Sequence, residues 1–162
     1  MDRAARAVEQ WQKERPDLDV RPMSVLGGLR EAASLISRDR LNPLFARFGL
    51  QAGEFDVLAT LRRSGPPYAL TPTALYEATM VTSGAMTNRL DRLEKAGLIA
   101  RGPHPEDRRG VIVQLTEKGR ALIDEAVTAH VENEHQVLAG LTRAEQDRLA
   151  ELLEKLIRSV GG

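Results

Sequence analysis

Residues 83–116 read SGAMTNRLDRLEKAGLIARGPHPEDRRGVIVQLT, and a change of period inside this stretch decides the fold. In its first half Met86, Leu90 and Leu93 are spaced i, i+4, i+7, the buried stripe of an amphipathic helix. That helix is predicted to run to Ala96 and stop at Gly97. Gly97–Arg101 then reads as a short strand, and the β-branched run Val111–Leu115 as a second. Between them Pro103 to Gly110 forms a charged loop rich in turn residues.

The segment just upstream completes a unit. Thr71-Pro72 is a strong helix start, a capping hydroxyl followed by proline at the first helical position. This short helix is predicted to end near Ala78, with Met80-Val81 as a turn and Thr82 or Ser83 capping the next helix. Two short helices, a tight turn and a hairpin with a basic tip make a winged helix-turn-helix. At about 100° per residue, Gly84, Asn88, Asp91, Arg92 and Lys95 lie opposite the apolar stripe of the second helix. Ser83, Gly84, Thr87 and Asn88 are small or carry amides and hydroxyls, which suits close approach to base edges in a major groove. Arg92 and Lys95 lie further along, at phosphate distance, and Thr71 joins the candidate DNA contacts at the start of the first helix. Arg108 and Arg109 at the hairpin tip suit a narrow minor groove, with Asp107 stabilising the wing by orienting a guanidinium. The bland alternatives are a solvated face in a helical bundle and a solvated charged loop.

Outward from this centre the chain is helical. Ala4–Lys13 carries the only tryptophan, Trp11, and is broken by Arg15-Pro16-Asp17. A second break is expected at Arg21-Pro22, with Ser24 capping a helix whose Leu26, Leu29, Ala33 and Ile36 form one buried stripe. Pro43 should kink or restart that helix near Asn42, and Gly49 should end it. Phe55, Leu58, Ala59 and Leu61 place a helix at 52–63, followed by the loop Ser64-Gly65-Pro66-Pro67. Thr116 caps a long helix from Glu117 to about Leu138. Thr142 and Glu145 form a capping box for a last helix with the stripe Leu149, Leu152, Leu153, Leu156, Ile157 and Val160. The fold class is therefore mainly α with a small β-hairpin (α+β).

Composition narrows the function. The 162 residues suffice for one domain with a real core. With no cysteine there is no disulfide framework, thiolate zinc site or thiol redox sensor. The absence of a long apolar run or an apolar leader predicts no membrane span and a cytoplasmic location. Net charge is zero, yet residues 82–120 carry 8 basic against 5 acidic side chains, while residues 121–162 carry 4 against 8. The basic excess coincides with the helix-turn-helix and its wing, a weak mark of a phosphate-facing surface. No nucleophile–base pair or Gly-rich phosphate loop stands out, so an enzyme is not expected. His130 and His135 are spaced i, i+5, which makes them poor co-ligands, and no metal or cofactor is expected.

Asp107-Arg108-Arg109-Gly110-Val111-Ile112-Val113-Gln114-Leu115-Thr116, followed by Gly119, resembles the wing signature of the MarR family of transcriptional regulators. Thr87 to Ile99 resembles that family's recognition helix and first wing strand, and similarity runs from about Ser24 to Val160. The resemblance implies a homodimer built from the first long helix and the last two helices. It also implies binding to double-stranded DNA at a pseudopalindromic operator, and release by a small ligand. The dimer interface would hold Leu26, Leu29, Leu149, Leu152, Leu153, Leu156 and Ile157. Residues 1–51 would supply the extra helix and first dimerisation helix, 52–116 the DNA-binding lobe, and 117–162 the C-terminal dimerisation helices of one continuous domain.

The extra N-terminal helix with Trp11 is similar to the urate-responsive branch, which includes PecS-like regulators. That branch is marked by a tryptophan, an aspartate and two arginines, matched here by Trp11, Asp56, Arg89 and Arg101. Phe55 stands where a tryptophan is frequent, and Pro43 and Gly27-Gly28 are local departures. Arg89 falls beside the buried stripe, so it is expected to point inward. A planar anion stacked on Trp11 and bonded by Arg89 would repel Asp56 and shift the recognition helix. The alternative is static: Trp11 anchors its helix and Asp56 pairs with Arg89 or Arg101. The expected function is a repressor released by a small anionic effector such as urate. Its alternatives are a response to phenolic or other organic acids, or action as an activator.

Overall fold

The computed structural model describes residues 3–79, 83–104 and 110–161, and of residues 83 and 84 only the backbone. The expected turn at Met80-Val81, the Thr82 cap and the wing-tip residues Asp107, Arg108 and Arg109 lie outside the described residues.

The chain opens with a helical hairpin. Helix α1 (Arg3–Glu14) packs on α2 (Arg21–Ile36). The first amides of α1, on Arg3 and Ala4, donate to the Glu31 carboxylate of α2 at 3.3 and 3.2 Å. A carboxylate there satisfies orphan donors and complements the helix dipole. Helix α2 corrects the expected start at Ser24. It begins at Arg21, with Pro22 in its first turn and no side-chain cap. Proline lacks only an N–H that the first turn leaves unpaired anyway, so Arg21-Pro22 opens the helix and does not break the chain. The expected burial of its stripe also fails within one chain: Leu26 is 56% exposed, and Leu29 and Ala33 are exposed too. Among the described residues only α1 and the next turn lie against α2 to any extent, so much of its apolar side is left uncovered by the rest of the chain.

A π-helical turn (Ser37–Leu41) leads into α3 (Asn42–Arg47), so the restart falls at Asn42 with Pro43 in the new first turn. Helix α4 (Ala52–Arg63) is the hub, touching α3, the two short helices that follow, the long α7 (Glu117–Leu138) and the sheet. Val57, Leu58 and Leu61 are fully buried there. The rings of Phe45 (α3) and Phe55 (α4) stack at 4.4 Å, and His130 of α7 lies against both.

The sheet is larger than the two-stranded hairpin expected. A two-residue strand β1 (Ala69–Leu70) joins β2 (Ile99–Pro103) and β3 (Val111–Leu115) in the antiparallel order β1-β3-β2. Leu70 and Arg101 both stand opposite Val113. Strand β2 starts two residues later than the expected Gly97 and runs to Pro103, because residues 96–98 are spent on a corner. Gly97 turns the chain there with a φ of +71°; its amide returns to Glu94 O at 2.9 Å, while Leu98 N–H reaches Leu93 O at 3.0 Å. Only a residue without Cβ adopts this left-handed helix end freely.

Helices α5 (Pro72–Ala78) and α6 (Ser83–Lys95) lie before that corner; α7 (Glu117–Leu138) and α8 (Arg143–Gly161) follow the sheet. Thr71 and Thr116 cap α5 and α7, accepting from Ala74 N–H at 3.1 Å and Gly119 N–H at 3.0 Å. Thr142 and Glu145 form the expected box, with Thr142 N–H donating to Glu145 at 2.8 Å. Helix α8 buries no residue within the chain, and Ile157 and Val160 are 67% and 79% exposed. Among the described residues no helix is long and apolar enough to cross a membrane, and no cluster of three or more metal-ligating side chains occurs.

Candidate nucleic-acid interface

Helix α6 sits on the core through Met86, Leu90 and Leu93, each at most 3% exposed. Thr87, Asn88, Asp91, Arg92 and Lys95 lie along its other sides, and Asp91, Arg92 and Lys95 carry its charge outward. The amphipathic split thus leaves a polar ridge with amide and hydroxyl groups near its N-terminal half and cations near its C-terminal end. Thr71 is half-buried and engaged in capping α5.

One ridge cation is anchored from below. Arg92 Nε lies 3.0 Å from Glu54 Oε1, although Glu54 is only 3% exposed. The other oxygen of Glu54 accepts the Gln51 N–H at 2.8 Å, as the N3 member of the α4 capping box. A buried carboxylate is tolerable because both oxygens are satisfied. Sequence reasoning missed Glu54. Its signal was the Gln51-x-x-Glu54 spacing, obscured by glutamine where a hydroxyl residue is usual.

A second arginine ties α6 to the sheet. Arg101 of β2 donates from Nε and Nη2 to Glu94 Oε2 at 2.9 and 2.5 Å, and from Nη2 to Asp91 Oδ1 at 2.6 Å. Its backbone N–H also reaches Glu94 Oε1 at 3.2 Å. The guanidinium bond holds the Glu94 carboxyl below the usual carboxylate range.

The third arginine turns inward. Arg89 lies so close to α4 that a Cβ on Gly53 would overlap its guanidinium carbon. Its Nη1 is buried and has no hydrogen-bond partner among the described residues. Asp56, one turn along α4, feels this group. Desolvation pushes its carboxyl up, and the charges of Arg89, Arg63 and His130 oppose that rise. His130 Nε2 faces Glu134 at 3.2 Å, while its Nδ1 is buried and unpartnered among the described residues.

The four residues marked in the sequence are therefore unevenly placed. Asp56, on the exposed side of α4, is near enough to Arg89 for their charges to act on each other. Arg101 is taken up by Asp91 and Glu94. Trp11 lines a separate groove of about 770 Å³ between α1 and α2, with Met23, Leu26 and Leu35.

Comparison with known proteins matches this architecture. The sequence model of the MarR family fits residues 48–110. The regulator PecS of Dickeya dadantii is 48% identical over 149 residues, covering 92% of this chain and 89% of PecS. A MarR family regulator of Streptomyces coelicolor, solved in complex with DNA, superposes with a TM-score of 0.78 at 26% identity, over 88% of this chain and 89% of that one. Bordetella bronchiseptica BpsR, solved to explain regulation of its DNA binding by 6-hydroxynicotinic acid, gives 0.68 at 31% identity over 82% and 91%. With a polar-ridged helix buttressed on a small sheet and this degree of likeness to PecS, the chain belongs to the MarR family of DNA-binding transcriptional regulators.

Proposed function

We propose that this regulator is a homodimeric repressor, released from a pseudopalindromic operator by a small planar anion. The observation that carries the reading is the inward Arg89. It belongs to the recognition helix, yet its Nη1 is buried without a partner among the described residues, over Gly53 and beside Asp56. An unpaired buried donor is unfavourable, and an acceptor-bearing ligand relieves it. A planar anion such as urate bonds the guanidinium bidentately and sets its own charge against Asp56. The recognition helix then moves relative to α4. Within the single chain Trp11, in its groove between α1 and α2, and Arg101, held by Asp91 and Glu94, stand apart from the Arg89–Asp56 pair, so the effector contact of this reading is that pair.

In the dimer, residues 1–51 and 117–162 supply the arms and 52–116 the DNA-binding lobe. Leu26, Leu29, Leu149, Leu152, Leu153, Leu156 and Ile157 form the seam. Ser83, Gly84, Thr87 and Asn88 read bases, Thr71, Arg92 and Lys95 hold backbone, and Arg108 and Arg109, oriented by Asp107, enter the flanking minor groove. Half-sites then lie about 10 base pairs apart, and binding weakens steeply with salt. A response to aromatic acids other than urate is the second reading, favoured by the likeness to BpsR, whose DNA binding is regulated by 6-hydroxynicotinic acid.

The test uses a duplex selected by the protein from a random library, with anisotropy followed during addition of urate, xanthine, 6-hydroxynicotinate or salicylate. Release by one of these anions is expected, and Arg89→Ala is expected to bind DNA but ignore the anion. Release that is undiminished in Arg89→Ala overturns the pocket.

A further inference from the structure

We propose that Arg101 is a positioning residue for DNA recognition: it locks the β2–β3 hairpin to the recognition helix, so that both meet the duplex at one fixed angle. The proposal rests on the reading of α6 and the hairpin as the two DNA-facing elements.

Three features carry it. The first is where the bonds run. Glu94 accepts from both the side chain and the main chain of Arg101, at 2.9, 2.5 and 3.2 Å, and Asp91 takes a further bond at 2.6 Å. Asp91 and Glu94 are three residues apart, hence on one side of α6. Strand β2 is an edge of the sheet, paired with β3 alone among the described strands, so the Arg101 amide on its free side is available to Glu94. The second is the corner itself. Only residues 96–98 join α6 to β2, and the bonds at Gly97 and Leu98 fix that turn. A hinge this short leaves the helix–strand angle as the main remaining freedom, and Arg101 braces it from beyond the corner.

The third is charge. Asp91 and Glu94 are carboxylates on the helix that faces a polyanion, and without a cation between them they would repel phosphate. Arg101 neutralises part of this charge while drawing it toward the hairpin. Exposed ion pairs of this kind contribute little to folding. Their effect belongs to placement: the hairpin's contacts with the flanking groove require the angle that the bonds hold.

The experiment uses the full chain and a duplex selected by the wild-type protein from a random library. Dimethyl sulfate reports major-groove protection, and hydroxyl radicals report the flanks. Wild type should protect both. Arg101→Ala should keep the major-groove protection, lose the flanks, and bind about tenfold more weakly, the loss of roughly one good contact. Its melting temperature should stay close to that of wild type. Adding Asp91→Asn and Glu94→Gln to Arg101→Ala should recover affinity by removing the repulsion, yet leave the flanks unprotected. Flank protection restored in that triple variant overturns the proposal, because Arg101 would then be a mere counter-charge. If wild type shows no flank protection, the docking reading falls and this inference with it. Flanks that stay protected in Arg101→Ala overturn the inference alone. Should Arg101→Ala not fold, Arg101→Met keeps a long apolar stem without any side-chain donor and carries the same readout: complete flank protection in it overturns the proposal.

Discussion

The guanidinium of Arg89 occupies the volume that a side chain on Gly53 would need, since a Cβ there would collide with its Cζ, Nε and Nη2. The pairing explains how a charged residue of the recognition helix reaches the first turn of α4. It also makes Gly53 a handle on Arg89 that leaves the arginine itself intact.

Gly53→Ala should therefore expel Arg89 from its seat. Overpacking at such a contact costs about 1–3 kcal/mol, partly offset by the better helix propensity of alanine, about 1 kcal/mol. Melting curves should show a modest net loss. The sharper expectation is functional: anion-driven release from DNA should fall toward that of Arg89→Ala. An unimpaired response would show that Arg89 need not sit over Gly53 to serve the effector.

Glu54 joins the α4 cap to the Arg92 head, so its two partners can be separated by substitution. Glu54→Ala loses both the box and the pair, and a loss of about 1–2 kcal/mol is expected. Glu54→Gln keeps an acceptor for the Gln51 N–H and should retain most of the stability. Both variants free Arg92, and operator affinity should change equally in the two. Urea unfolding and anisotropy on the same samples check this, and equal destabilisation of the two variants would contradict the cap assignment.

Asp56 supplies a pH dependence with a definite sign. Its carboxyl is pushed up by desolvation, against the charges of Arg89, Arg63 and His130. The folded state thus holds this proton more tightly than the unfolded chain. Stability contributed by the protonated form is complete below the ordinary aspartate value, about 3.9, and is lost as pH rises through the folded value. Relative to wild type, Asp56→Asn should gain melting temperature as pH is raised through that window. A difference that stays constant with pH would place Asp56 in an ordinary solvated setting.

The parts legible in the sequence are those with local causes. Thr71-Pro72 and Thr116 announced their helices through caps, and the β-branched run Val111–Leu115 announced its strand. The inward turn of Arg89 followed from its angle on the helix beside Leu90 and Leu93. What escaped was either too short or not local. Ala69–Leu70 is a two-residue strand that exists only through its pairing with β3. The start of α2 was misread because Pro22 serves equally as a breaker and as a first-turn residue. Arg101 finds Asp91 and Glu94 only after the Gly97 corner folds β2 back beside α6, a tertiary event that no spacing encodes.

The exposed stripes give the last prediction. Leu26 of α2 and Leu149, Leu152 and Ile157 of α8 are all at least 40% exposed in the single chain. A run of large apolar side chains on two helices is unfavourable in water and marks an association surface. Burying one such side chain contributes about 1.5–3 kcal/mol, and a twofold interface counts each substitution twice. The wild-type protein should sediment at twice its 17.9 kDa chain mass. Ile157→Glu places two carboxylates in the seam and should shift the distribution toward the single chain, with operator binding lost in parallel because both half-sites must be held at once. Lys155→Glu, an exposed polar change on the same helix, should leave the mass unchanged. A dimer that tolerates Ile157→Glu at micromolar concentration would mean that the seam lies elsewhere.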